Sequence, residues 1–204
     1  MSKIKGYAVI TIMTLLFCVG CSKEDTNKAS AGVLMNPKGS VQVKYEENLD
    51  KDYYDGNELE SFVDAEVKEF NDIYGEGKLK KESFKVKDKL ATLWYEFADS
   101  NSYVTYMNDF VKAENVEFGM YTYEEANKNG IKFDGKFNKV GETGTITKDK
   151  FEETDKLMVL YTNMEMCVYI PGEIVYTSED VTVNKDTANT IEEKANYILY
   201  KVEE

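Results

Sequence analysis

Apolar positions along this chain fall into three regimes. The first is a predominantly apolar run from Tyr7 to Val19, set behind Lys3 and Lys5 and ahead of small Gly20. A run of that length is short of the roughly 20 apolar residues that cross a bilayer, and its three-part form is that of an export signal, residues 1–20. The second regime, residues 21–40, is polar and without period after the cysteine that opens it, and predicts a flexible tether. In the third, from Val41 onward, periodicity appears. Val41, Val43 and Tyr45 alternate with polar residues and predict a strand. Leu59, Phe62, Val63, Val67, Phe70 and Ile73 recur at helical spacing and predict a helix over 57–73, with Asn57 and Glu60 as a capping box and Gly75 and Gly77 as its stop. Phe84 and Val86, then Ala91, Leu93, Tyr95 and Phe97, predict a hairpin turning at Asp88-Lys89. Tyr103, Tyr106, Met107 and Phe110 predict a second helix starting near Asp99 or Ser100, with a strand to follow at 116–118.

The order β-α-β-β-α-β is that of a ferredoxin-like split βαβ unit. After it, Thr122 with Glu125 and then Asn129-Gly130 bracket a short helix, and Asp134-Gly135 marks a turn. From Thr154 short strands dominate: 157–161, 166–170, 174–176, 181–183 and 197–202, with Pro171-Gly172 as a breaker. The expected class is α+β. An α+β part over 41–153 is followed by a β-rich part over 154–204, packed together as one domain.

Cysteine placement gives the first chemical signal. Two of the three cysteines, Cys18 and Cys21, straddle the end of the apolar run. Cys18-Val19-Gly20-Cys21 resembles the lipobox of bacterial lipoprotein precursors. That resemblance implies that Cys21 becomes a diacylated N-terminus, although Cys18 stands where Leu is usual. A cut after Ala29-Ser30-Ala31 is the alternative, but that site lies well past the apolar core. Two acyl chains hold a protein stably on a bilayer where one does not. Cys167 would be the one cysteine left after processing and acylation, and no intramolecular disulfide is then expected.

Charge narrows the partners. All 25 basic residues are lysine, and the formal charge of −13 becomes −15 once Lys3 and Lys5 leave with the signal. An acidic chain without arginine is poorly made for nucleic acid, which needs basic patches. An anionic membrane surface would repel it, so the lipid must do the holding. Without histidine, Ser-His-Asp and Cys-His machinery is impossible.

Residues 49–71 (LDKDYYDGNELESFVDAEVKEFN), 171–183 (PGEIVYTSEDVTV) and 195–201 (ANYILYK) resemble small uncharacterised lipoproteins of clostridial bacteria. The resemblance implies a Gram-positive host and an extracytoplasmic, membrane-anchored state, and carries no activity with it.

Three constellations have candidate chemistry. Asp50, Asp52 and Asp55 before Gly56 offer hard oxygen ligands for Ca²⁺, but the third acid and the glycine each fall one position late for a calcium loop, and carboxylates at a helix start explain them as well. Glu152, Glu153 and Asp155 could supply the acid and base of a glycosidase, yet 38 acidic residues make such neighbours common by chance. Trp94 and Tyr95 could stack on sugars, but strand alternation sends one of them into the core. No cofactor is expected. The function these patterns favour is a lipid-anchored, non-catalytic binding or interaction module for a protein or glycan partner. A carboxylate-dependent glycan hydrolase is the rival.

Overall fold

The structure is a computed structural model that describes residues 32–36, 38–49, 51, 54–192 and 194–202. Cys18, Cys21, Asp50 and Asp52 lie outside these residues, as do the expected signal and most of the expected tether. In chain order the elements are β1 (Val33–Met35), β2 (Val41–Asn48), α1 (Gly56–Tyr74), β3 (Leu79–Lys87), β4 (Leu90–Phe97), α2 (Ser100–Asp109), β5 (Phe118–Thr122) and α3 (Tyr123–Lys128). There follow β6 (Phe137–Lys139), β7 (Thr145–Ile146), β8 (Met158–Thr162), β9 (Cys167–Tyr169), β10 (Gly172–Ser178), β11 (Thr182–Asn184), β12 (Thr187–Asn189) and β13 (Asn196–Val202). The class is α+β, dominated by strand. One sheet runs β11-β12-β9-β1-β2-β4-β3 and the other β5-β8-β13-β10-β6-β7. Each draws strands from both sides of residue 154, so residues of the two expected parts contribute to both sheets.

Local signals fix the expected hairpin. Asp88 and Lys89 both take positive φ, 52° and 65°, which gives the two-residue turn whose twist matches paired strands. Strand β4 then lies between β2 and β3, antiparallel to both. That is the split order expected for the first three strands of a ferredoxin-like unit. The fourth departs from it, because β5 pairs with β8 in the second sheet. The place beside β2 is taken by β1, which also pairs in parallel with β9. Val33, Leu34 and Met35 are all buried, so residues 33–36 and 38–40 belong to the fold and not to the tether expected there.

Helix α1 starts one residue earlier than the sequence implies. Its cap is Asp55, whose carboxylate accepts the Asn57 N–H at 2.7 Å, while Glu60, expected in a capping box, pairs with Lys81 at 2.9 Å. The buried line runs through Val63 and Phe70, with Glu66 and Val67 half-buried, and excludes Phe62 and Ile73, which are 46% and 58% exposed. Phe62 sits about 100° round the helix from Val63, enough to leave a narrow contact stripe. At the helix end the Asn71 amide brackets Leu79, donating to its carbonyl at 2.7 Å and accepting its N–H at 3.0 Å, which seats β3 against α1.

The main core lies between the two sheets and under α1 and α2. Val43, Tyr95 and Phe97 from the first sheet meet Phe70, Tyr106, Leu160 and Ile198. The far face of the second sheet is closed by α3 and the following loop, through Ala126, Phe133, Phe137 and Tyr197. The far face of the first sheet carries a smaller cluster of Leu34, Cys167, Trp94 and Tyr169.

Candidate functional site: a groove along an open sheet edge

Strand β5 ends the second sheet, with β8 on one side and, among the described residues, no strand on the other. Its register says which main-chain groups point outward. Tyr123 donates its N–H to Leu157 at 2.9 Å and Asn163 donates to the Glu117 carbonyl at 3.2 Å, so the odd-numbered residues face β8. Antiparallel pairing alternates, and Phe118 and Met120 therefore turn their N–H and C=O away from it. These groups have no hydrogen-bond partner among the described residues. The outward amide of Thr122, next in the series, is taken by the Glu125 carboxylate at 2.8 Å in the α3 capping box.

The open edge forms the floor of a groove of about 970 Å³. One rim is built by Asn36, Lys38 and Gly39 of the β1–β2 turn with Asp99, Ser100 and Asn101 at the start of α2. The other is the segment after α3, Asn129 to Lys132, with Asp134. Side chains line it on both faces of β5. On the inner face lie Met120, Met158, Val104 and Tyr200, the Tyr200 hydroxyl standing 3.9 Å from the Met120 sulfur. On the outer face Tyr121, Tyr161 and Tyr197 gather, with Tyr161 and Tyr197 ring centroids 5.3 Å apart. Gly119 makes room for this: a Cβ there would stand 2.3 Å from the Tyr121 hydroxyl oxygen, so the ring lies across the glycine.

The groove's ionisable groups are mostly committed. Burial, the Ser102 donors and the Lys78 ammonium act on Asp99; burial raises its affinity for a proton, but the partners outweigh it and hold the carboxyl below its usual range. The Glu117 carboxylate accepts the Tyr161 hydroxyl. Burial, reinforced by that carboxylate, holds the Tyr161 phenol well above its ordinary range, and burial pushes Tyr200 up to about 12. The tyrosines thus stay neutral donors, with Lys38 and Lys132 as the cations on opposite rims.

The residues singled out from sequence lie elsewhere. Asp55 caps α1. Glu152 pairs with Lys139 at 3.3 Å, and the pKa of Glu153 is held at about 2 by Lys156 and Lys201, so Glu153 does not stand as a proton donor. Among the described residues no cluster of His, Cys, Asp or Glu could hold a metal ion. Tyr95 is core and Trp94 lies on the opposite face of the first sheet, as alternation requires. Cys167 is buried and disulfide-bonded, with the other half of the bond outside the described residues. This departs from the expectation of no intramolecular disulfide, which assumed an acylated chain. A cysteine alkylated on sulfur cannot share a disulfide, and Cys18 leaves with the expected signal, so a bond from Cys167 to either cysteine belongs to the chain before processing and is excluded once Cys21 is acylated.

A second polar cluster lies beneath α1. The Glu66 carboxylate accepts the hydroxyls of Tyr95 at 2.6 Å and Tyr106 at 3.0 Å. Burial raises its pKa, and the two hydrogen bonds offset that only in part. The cluster locks helix to sheet, and none of its three residues lines the groove.

No helix among the described residues is long and apolar enough to cross a membrane. Compared with protein-family models, curated proteins and solved structures, the chain matches none of them.

Proposed function

We propose that this chain is a lipid-anchored, extracytoplasmic binding module, held by Cys21 on the outer face of a Gram-positive cytoplasmic membrane and working through the groove along β5. The address rests on Gly20-Cys21 closing a short apolar run and on the resemblance to clostridial lipoproteins. The binding reading is carried by one observation, the recessed groove itself. Its volume is at the upper end of the range of small-ligand pockets, and apolar and aromatic walls with a few converging amides are how such pockets are built. A non-catalytic role is favoured over glycan hydrolysis by the state of the carboxylates. A hydrolase needs one acid with a raised pKa facing a second carboxylate. Of the three carboxylates lining the groove, Asp99 is an ionised helix cap and Glu117 is tied to a phenol, which leaves Asp134 with no second uncommitted carboxylate in the lining to face. With the chain entering the fold at β1, residues 22–32 would link it to the lipid, a span of roughly 35–40 Å at full extension.

Protein labelled with ¹³C in its methionine methyls tests the groove directly. Titrated with a panel of cell-wall glycans and short peptides, the Met120 and Met158 methyls are expected to shift while those of buried Met35 and Met107 stay. A panel that moves neither groove methyl contradicts the reading.

A further inference from the structure

We infer that the groove takes an extended peptide, which adds to the second sheet as a new strand beside β5. The inference rests on the groove being the binding site and specifies what it binds. Phe118 and Met120 present two N–H and two C=O groups to the groove, the pattern an antiparallel or parallel strand needs for main-chain pairing. Exposed edges of this kind are usually blunted by charge, proline or a bulge. Residues 118–121, Phe-Gly-Met-Tyr, carry none of these, and the ring of Tyr121 lies across Gly119.

The walls decide between occupants. The edge is recessed between the α2 start and the segment after α3, so a single extended chain can lie between these walls, whereas β5 of a second copy would bring its own two walls with it. Side-chain alternation then sets the class of peptide. Residues pointing to the inner face meet Met120, Met158 and Val104, an adaptable apolar surface that suits aliphatic side chains. Residues pointing to the outer face meet the rings of Tyr121, Tyr161 and Tyr197. The ligand is a segment with aliphatic residues at every second position.

The probe is a phage-displayed library of random peptides selected on the purified full chain. The tightest peptide is resynthesised with single N-methyl groups along its length. Strand addition predicts a period of two: methylation at alternate amides weakens binding by at least about tenfold and at the amides between them has little effect. On the protein side Met120→Pro removes one outward N–H and none of the bonds to β8, and is expected to weaken binding about as much with its melting temperature preserved. If that variant fails to fold, the methylation scan still decides. A peptide that shifts the Met120 and Met158 methyls yet tolerates N-methylation everywhere overturns strand addition and leaves the groove reading standing. Selection of no peptide, or of one that leaves those methyls unmoved, overturns strand addition too, and a glycan that moves them would then keep the groove. A concentration-dependent dimer abolished by Met120→Pro would show a second copy as the occupant and also overturn it.

Discussion

Helix α1 offers a sharp test of the packing, because two of its phenylalanines belong to the same apolar stripe in the sequence and part company in the structure. Phe70 is 0% exposed, its ring centred 4.8 Å from Tyr74, 5.4 Å from Phe110 and 5.9 Å from Tyr106. Truncating a buried Phe to Ala costs about 3–5 kcal/mol through lost transfer and an unfilled cavity. Ring pairs add about 0.5–1.5 kcal/mol each, which places Phe70→Ala toward the upper end. Phe62 is 46% exposed. Full burial of a Phe is worth about 1.5–3 kcal/mol, and with little over half of it realised and no enclosed cavity left, Phe62→Ala should cost about 1 kcal/mol or less. In urea, with a slope of about 2 kcal/mol per molar, the midpoint should fall by about 2 M for Phe70→Ala and about 0.5 M for Phe62→Ala. Far-ultraviolet circular dichroism follows both. Equal shifts would refute the inward line through Val63, Glu66 and Phe70.

Three other perturbations have expected outcomes. Because the folded Glu66 binds its proton more tightly than the unfolded chain does, ionising it costs stability, and the wild type gains stability as pH falls through the folded pKa toward the ordinary 4.5. Glu66→Gln keeps an acceptor for Tyr95 and Tyr106 and should match or exceed the wild-type melting temperature at pH 7, with the gap closing as pH falls; a variant weaker at pH 7 than at pH 4.5, relative to wild type, would contradict this. Asp99→Ala should cost about 1–2 kcal/mol at pH 7 from the α2 cap, with little added by the half-exposed Lys78 pair. Since its folded pKa is lowered, that loss should shrink only below the ordinary value of 3.8, as a melting series across pH would show. A chain begun at Val41 lacks β1, the strand joining β2 to β9, and should fail to give a cooperative thermal transition that a chain begun at Gly32 retains.

What the sequence made legible was local. Asp88-Lys89 turned where expected, Asp99 capped α2, and Thr122 with Glu125 formed the full capping box. Each of these is settled by residues within a few positions of one another. Non-local choices were not legible. Strand β1 has three residues, too few for a period, and is fixed only by β2 and by β9 far along the chain. The departure of β5 to the second sheet leaves no mark in the order of elements. The groove was hidden for the same reason: that Phe118 and Met120 lie on an edge depends on which strands fail to arrive. Phe62 failed differently, since helical spacing marks an apolar sector but does not say how wide the contact within it will be.

That the chain works while anchored to a membrane by Cys21 is tested most directly by intact-mass analysis, before and after reduction, of the protein recovered from the membrane fraction of its host. The account predicts a chain beginning at Cys21, lighter by residues 1–20 and heavier by a diacylglyceryl group, and its loss from the membrane in Cys21→Ala. A water-soluble product beginning at Gly32, or a Cys21 released from Cys167 by reduction, would contradict it.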